Sequence, residues 1–281
     1  MGRKWREETM LKIKNYVKVK SVAEAYELNQ KKSACVLGGM VWLKMQNRPV
    51  ATAIDLSGLG LDAITENEDE FVIGCMTSLR TLELHKGLDA YTGGAVKESL
   101  RHIVGVQFRN CATVGGSLWG RFGFSDVLTM FLALHTEVEL YDRGRISLEE
   151  FIESPKDRDI LVNIYVKKIP VQCAYVSQRN SATDFPVLAC AVSLTGDEAR
   201  TVIGARPGKA LCIADEKGLL KNFASQNKAG KKNAAEAFAK YAAQMVPTGS
   251  NMRGSKEYRT HLVEVLTRRA WEAVGGVKNE N

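Results

Sequence analysis

The sequence predicts an α+β fold with more than one domain, and three observations support that prediction. The chain has 281 residues, which is enough for a large buried core and for two domains. Apolar and polar residues alternate over 11–19, as in a half-buried strand, whereas residues 256–274 have the spacing of a long amphipathic helix. We divide the chain into a domain over 1–170, with subdomains at about 1–57 and 58–170, and a smaller domain over 171–281.

The composition is typical of soluble globular proteins, with 45% hydrophobic and 25% charged residues. No apolar run approaches the roughly 20 residues of a membrane span. The charged residues 1–9 are followed by no signal-peptide core, so we expect a cytoplasmic protein without membrane contacts. The net charge of +7 is dispersed among acidic residues, which argues against nucleic acid as a partner.

The first subdomain is predicted to form a small β-α-β unit that begins with the strand over 11–19. Ser21 is a predicted helix N-cap, and Glu24 three residues later completes a capping box for a helix over 22–28. An apolar strand over 34–37 then enters a Gly-Gly turn, and a further strand covers 51–56.

The second subdomain and the C-terminal domain are predicted to mix strands and helices. Ser78 is the expected N-cap of one helix, and Ser125 with Asp126 opens another. The predicted strands cover 70–75, 137–141, 159–169, 173–178, 187–194 and 201–204. The predicted helical segments cover 78–84, 94–104, 127–134, 216–245 and 256–274.

Two glycine pairs are the features that most strongly indicate a ligand. The pair 38–39 follows an apolar strand, and the pair 115–116 lies between the hydroxyl residues Thr113 and Ser117. Glycine has no Cβ, so an anion or a ring can approach its backbone closely. Two such loops could hold one extended cofactor from both sides. Asp126 could accept hydrogen bonds from cofactor hydroxyls, or it could be an ordinary acid at a helix N-terminus.

No residues have the spacing of a catalytic set or a metal site. The chain lacks a GxSxG elbow, a P-loop and the GxGxxG dinucleotide fingerprint. Its six cysteines are scattered singly, and its four histidines show neither HxH nor HExxH spacing. We therefore predict no catalytic side chain and no metal ligand, and instead a cofactor that supplies its own chemistry.

Four motifs occur in order between residues 11 and 273. They lie at 37–43, at 73–79, at 107–118 with 125–126, and at 253–259 with 268–270. In these motifs the sequence resembles the FAD-binding medium subunits of the molybdenum hydroxylases, the family of xanthine dehydrogenase and carbon monoxide dehydrogenase. The resemblance implies a two-subdomain FAD-binding domain of the vanillyl-alcohol-oxidase (PCMH) type. A smaller α+β domain of the CO dehydrogenase flavoprotein type would follow it.

The resemblance also implies which positions contact FAD. Two loops would bind the pyrophosphate, and they comprise Val36, Leu37, Gly38, Gly39, Met40, Val41, Trp42, Leu43, Thr113, Val114, Gly115, Gly116 and Ser117. Ile103 would lie near the flavin, Asp126 near ribityl or ribose hydroxyls, and the backbone of Leu161 against the ring. No histidine stands beside either glycine pair, so FAD is expected to bind without a covalent bond.

The function implied by the resemblance is that of an FAD subunit in a multi-subunit, xanthine dehydrogenase-like molybdenum hydroxylase. Electrons would pass from 2Fe–2S clusters on a small subunit through FAD to NAD⁺ or another acceptor, and a molybdopterin-binding large subunit would oxidise the substrate. Two alternatives remain open. One is a stand-alone FAD-dependent reductase or oxidase of the same fold, and the other is a flavin-free assembly subunit.

Overall fold

A computed structural model describes residues 11–277, and its strands form three separate sheets. The charged segment 1–9 lies outside the described residues. The strands are β1 Lys12–Lys18, β2 Ala34–Leu37, β3 Pro49–Asp55, β4 Ile64–Glu66, β5 Glu70–Gly74, β6 Thr136–Leu140, β7 Gly144–Ser147, β8 Leu161–Lys167, β9 Gln172–Arg179, β10 Pro186–Thr195, β11 Glu198–Gly204 and β12 Leu211–Ile213.

The helices are short in the first two thirds of the chain, and two long helices lie near its end. They are α1 Val22–Asn29, α2 Leu79–Leu84, α3 Lys86–Tyr91, α4 Ala95–Arg101, α5 Val106–Cys111, α6 Val114–Trp119, α7 Asp126–Ala133, α8 Leu148–Glu153, α9 Lys228–Met245 and α10 Lys256–Val274. Two short 3₁₀ turns cover Leu43–Met45 and Phe223–Ser225. No helix within residues 11–277 is both long enough and apolar enough to cross a membrane.

The first sheet is parallel, in the order β1-β3-β2, with α1 packed against it. The predicted capping of α1 is confirmed, because the Ser21 hydroxyl accepts a hydrogen bond from the Glu24 amide at 3.1 Å. The Glu24 carboxylate accepts from the Lys20 amide at 2.7 Å, one residue earlier than a standard capping box places it. The sheet directs the end of β2 into the first glycine pair.

The second sheet is antiparallel, in the order β4-β5-β8-β6-β7. The predicted caps Ser78 and Ser125 are confirmed, since each hydroxyl accepts a hydrogen bond from an amide three residues later. The strand predicted over 159–169 is shorter, because the Asp159 carboxylate instead binds the amides of Asp142 and Arg143. The second glycine segment, expected as a loop, is the short helix α6.

The third sheet is antiparallel, in the order β12-β11-β10-β9, and α9 and α10 pack together beside it. The prediction for α10 is confirmed. The helix predicted from residue 216 begins only at Lys228, because the Asp215 carboxylate binds the amides of Leu219 and Leu220 and holds a turn there. Strand β10 is buried on both faces, with Ala189 and Ala191 in the core that contains α7.

Candidate functional site

A cleft of about 310 Å³ lies between the first glycine loop, the α5–α7 region and the β9–β10 connection. Most of the predicted site residues line it. These are Val36, Gly38, Gly39, Met40, Val41, Trp42, Leu43, Ile103, Thr113, Gly116, Ser117 and Asp126. Folding thus brings together residues up to 90 positions apart in the sequence, from Val36 to Asp126.

Four predicted site residues do not line the cleft, and their contacts with FAD stay predictions. Leu37 is 6% exposed and packs in a small cluster with Val50 and Ala53. Val114 and Leu161 are buried in the main core. Gly115 lies against Cys75, so close that a Cβ there would be 2.6 Å from the Cys75 carbonyl oxygen. These residues support the walls of the cleft from behind.

The first glycine loop offers unused backbone donors to the cleft. Within residues 11–277, no protein acceptor is hydrogen-bonded to the amides of Gly39, Met40, Val41 or Trp42. Met40 has φ +56°, a left-handed conformation that turns the chain and helps successive amides form a concave anion site. A Cβ on Gly39 would be 1.8 Å from the Cys111 carbonyl oxygen, so only glycine lets this loop approach α5.

The second glycine segment has no unused amides from Val114 to Ser117. Each of the four N–H groups donates to a protein acceptor at 2.8–3.1 Å: the Thr77 carbonyl, the Cys75 carbonyl, the Thr113 hydroxyl and the Thr113 carbonyl. These four amides are therefore engaged within the protein, and the binding of the pyrophosphate by the second loop stays a prediction. Gly116 lines the cleft, and a Cβ on it would meet Thr113 Oγ1 at 3.0 Å and no other atom of its surroundings within 4 Å.

Asp126 is 5% exposed and is held by two residues of β9. Its Oδ1 accepts a hydrogen bond from the Tyr175 hydroxyl and another from Arg179 Nη2 at 2.6 Å. Burial raises the pKa of Asp126, and the Arg179 guanidinium opposes that shift. No donor within residues 11–277 is bonded to Oδ2, so this carboxylate can still accept a hydrogen bond from a ligand.

Sequence reasoning missed the residues that form the far side of the cleft, Arg179, Asp184 and Phe185. Arg179 Nη1 donates to the Asp184 carbonyl at 2.7 Å. The Asp184 carboxylate pairs with Arg253 at 3.0 Å, and the Arg253 guanidinium lies 4.8 Å from the centre of the Phe185 ring. Arg253 belongs to the fourth sequence motif, which was the only available signal for this group.

A cluster of aromatic rings forms the apolar part of the cleft, and sequence reasoning named only one member. Trp42 is its centre. The ring centroids of Phe108, Phe122, Phe124 and Phe185 lie 5.5–6.5 Å from that of Trp42. Aromatic pairs at such distances form rigid apolar walls that suit a planar ring.

Comparison with known families identifies the type of protein. Residues 10–171 match the family described as the FAD binding domain in molybdopterin dehydrogenase. The chain belongs to this family. Residues 173–274 match the CO dehydrogenase flavoprotein C-terminal domain. These matches confirm the predictions that the chain is an FAD flavoprotein and that it is a component of an oxidoreductase.

Relatives and solved structures agree with the family. The nicotine 6-hydroxylase medium subunit of Paenarthrobacter nicotinovorans is 27% identical, and the alignment covers 90% of this chain and 94% of that one. The uncharacterised protein YgfM of Escherichia coli K12 is 28% identical, with 90% and 93% covered. A chain of the carbon monoxide dehydrogenase of Hydrogenophaga pseudoflava has the same fold, with a TM-score of 0.80, 22% identity, and 94% and 97% covered. A chain of quinoline 2-oxidoreductase from Pseudomonas putida 86 gives a TM-score of 0.78 at 16% identity, with 95% and 98% covered.

The residues of the cleft suit FAD. A dinucleotide needs donors for its two phosphates, and the amides from Gly39 to Trp42, which bind no acceptor within residues 11–277, suit that purpose. It needs an acceptor for sugar or ribityl hydroxyls, which Asp126 Oδ2 can supply. It also needs an apolar wall for its ring, which the cluster around Trp42 provides. Residues 11–277 contain no group of three or more His, Cys, Asp or Glu side chains able to hold a metal ion.

Proposed function

We propose that this chain is the cytoplasmic FAD subunit of a multi-subunit molybdenum hydroxylase of the xanthine dehydrogenase type. In this proposal residues 1–170 hold FAD, and residues 171–281 close the cleft from the opposite side. The partners are a molybdopterin-binding large subunit and a 2Fe–2S small subunit, and the electron acceptor is NAD⁺.

One observation carries the proposal: a chain that belongs to this FAD-binding family has a cleft lined by an aromatic cluster and by a loop with four amides that bind no acceptor within residues 11–277. A flavin-free assembly subunit has no need for four successive amides without an acceptor in the described part of the chain, or for a buried carboxylate whose second oxygen has no donor there. The nicotine 6-hydroxylase medium subunit supports the view of a subunit that works with others, because its own name describes it as one part of an enzyme.

The residues of this chain divide the work of binding. Gly39 to Trp42 would hold the pyrophosphate through backbone amides, and Gly116 would leave room for it. Asp126 would orient the hydroxylated linker, while Phe185 and Trp42 would exclude water from the ring. When bound, FAD would supply the redox chemistry between iron–sulfur clusters and the electron acceptor.

The first experiment measures FAD binding by the purified chain. Flavin absorbance bands and quenched flavin fluorescence are expected when FAD is added, and acid treatment should release yellow FAD into the supernatant. Flavin that stays with the denatured polypeptide would contradict non-covalent binding. A folded chain that binds no FAD would favour the flavin-free assembly subunit instead.

The second experiment isolates the chain from native extract and analyses the proteins that co-purify with it. Molybdenum and iron are expected in two further polypeptides, and NADH should reduce the flavin of the complex. Recovery of a flavin-loaded chain alone, active without molybdenum or iron, would support the stand-alone reductase or oxidase. Failure of NADH to reduce the flavin of an intact complex would exclude NAD⁺ as the acceptor.

A further inference from the structure

The segment between α4 and α5 carries a strained residue at the cleft. Val104 has φ +49°, a conformation that β-branched residues rarely adopt because the branched side chain clashes with the backbone. Val104 and its neighbour Ile103 both line the cleft. Such conformations persist only where surrounding contacts hold them, so something in the structure must fix this segment.

A buried ion pair behind the cleft wall provides that contact. Arg109 in α5 donates to Glu83 in α2 through Nε at 2.7 Å and Nη2 at 3.2 Å, a two-point contact with both side chains 6% exposed. The remaining arm, Nη1, donates to the Ile103 carbonyl at 3.1 Å. Glu83 is held in turn by Arg80 at 2.9 Å. The guanidinium is therefore fixed in orientation, and its hydrogen bond holds the carbonyl of Ile103, the residue immediately before Val104.

We propose that Arg109, oriented by Glu83, is a positioning residue that holds Val104 in its left-handed conformation and so fixes the Ile103–Val104 wall against bound FAD. Three arms of one planar guanidinium are required, two for Glu83 and one for Ile103, which lysine cannot reproduce. Arg109 is part of the third sequence motif, and neither Arg109 nor Glu83 lines the cleft. The inference rests on the proposed function, because it takes the cleft to be the FAD site.

The test combines Arg109→Lys with Val104→Gly and measures the FAD dissociation constant by flavin fluorescence. Arg109→Lys alone should weaken FAD binding by about tenfold, since the segment then relaxes away from the cleft. Glycine adopts a positive φ without strain, so in the Val104→Gly background the same lysine substitution should weaken binding by less than about threefold. A residue with a merely structural role would show no such rescue.

The matched control is Arg80→Gln, which removes the other partner of Glu83 without touching Ile103. It should leave FAD affinity within about twofold of the unaltered chain. If Arg109→Lys does not fold, Glu83→Gln replaces it, because the amide still accepts from Arg109 but orients it less strongly. The Glu83→Gln effect on FAD affinity should likewise be suppressed by Val104→Gly.

The outcomes separate this inference from the proposed function. An unaltered chain that binds no FAD overturns the proposed function and this inference with it. If the unaltered chain binds FAD but the two substitutions act additively, only the inference is overturned. Equal losses of FAD affinity in Arg80→Gln and Arg109→Lys would also overturn it. The effect would then come from the packing around Glu83 and not from the hydrogen bond to Ile103.

Discussion

Gly115 packs against Cys75, and its amide donates to the Cys75 carbonyl at 2.8 Å, whereas the adjacent Gly116 lines the cleft, where a Cβ would meet only Thr113 Oγ1, at 3.0 Å. The two neighbouring glycines of one motif therefore serve different purposes. Gly115 allows α6 to lie against the strand-end segment at Cys75. In the proposed function, Gly116 allows FAD to lie against α6. The difference can be measured with the same substitution at each position.

Gly115→Ala should destabilise the protein, and Gly116→Ala should weaken FAD binding. A Cβ at position 115 would be 2.6 Å from a backbone oxygen, so we expect a loss of about 1–3 kcal/mol in the free energy of unfolding from overpacking. At position 116 alanine gains helix propensity of about 1 kcal/mol over glycine, yet its methyl group enters the cleft and should weaken FAD binding by about tenfold. Chemical denaturation without FAD and fluorescence titration with FAD measure the two effects. Unchanged FAD affinity in Gly116→Ala would show that this face of α6 does not contact the cofactor.

Asp126→Asn should destabilise the chain even without FAD, because it leaves Arg179 buried beside a neutral partner. Both side chains are nearly inaccessible, at 5% and 6% exposure, and breaking such a pair typically costs about 3–5 kcal/mol. The double variant Asp126→Asn with Arg179→Gln removes the unpaired charge, so it should recover much of that loss. Urea unfolding of both variants without FAD is the measurement. An Asp126→Asn protein as stable as the unaltered chain would contradict the importance of this pair.

Glu83 should make the protein sensitive to acid. Burial alone would raise the pKa of Glu83, but hydrogen bonds from Arg109 and Arg80 outweigh it and hold that pKa below its ordinary value of 4.5. A carboxyl whose pKa is lowered by folding stabilises the folded state above its unfolded pKa, and this contribution is lost as the pH falls through the folded pKa. The free energy of unfolding should therefore decline below about pH 4.5, and Glu83→Gln should be less stable at neutral pH with a shallower decline. Identical pH profiles for the two proteins would refute this assignment.

Features that depend on neighbours in the sequence were predictable from it. The caps at Ser78 and Ser125, and the bounds of α10, depend on residues within one or two helical turns. By contrast, α6 forms despite two glycines because distant carbonyls at Cys75 and Thr77 hold its first amides. No local pattern reveals such contacts.

The candidate site was predictable in its loops but not in its opposite wall. The glycine pairs are visible because glycine is the residue type that a close backbone approach requires. Arg179 and Phe185 are ordinary residues in a strand and a turn, and they become part of the cleft only in the folded chain, where Arg179 of β9 reaches Asp126 at the start of α7. The pair formed by Asp126 and Arg179 joins residues 53 positions apart, a relationship that no periodicity in the sequence records.

Cys35 offers a chemical probe of the cleft that does not depend on activity. Cys35 is a lining residue of the cleft. Burial raises the pKa of its thiol, and Arg48, with Nη2 3.3 Å from the sulfur, opposes that shift. Saturating FAD should slow alkylation of Cys35 by about tenfold or more, because the reagent then reaches the thiol only in the unbound fraction. Cys111 is the internal control, since it is exposed and does not line the cleft, so its alkylation rate should not change. Mass spectrometry of peptides after timed labelling reports both rates in one sample. Equal rates for Cys35 with and without bound FAD would place the cofactor away from the first glycine loop.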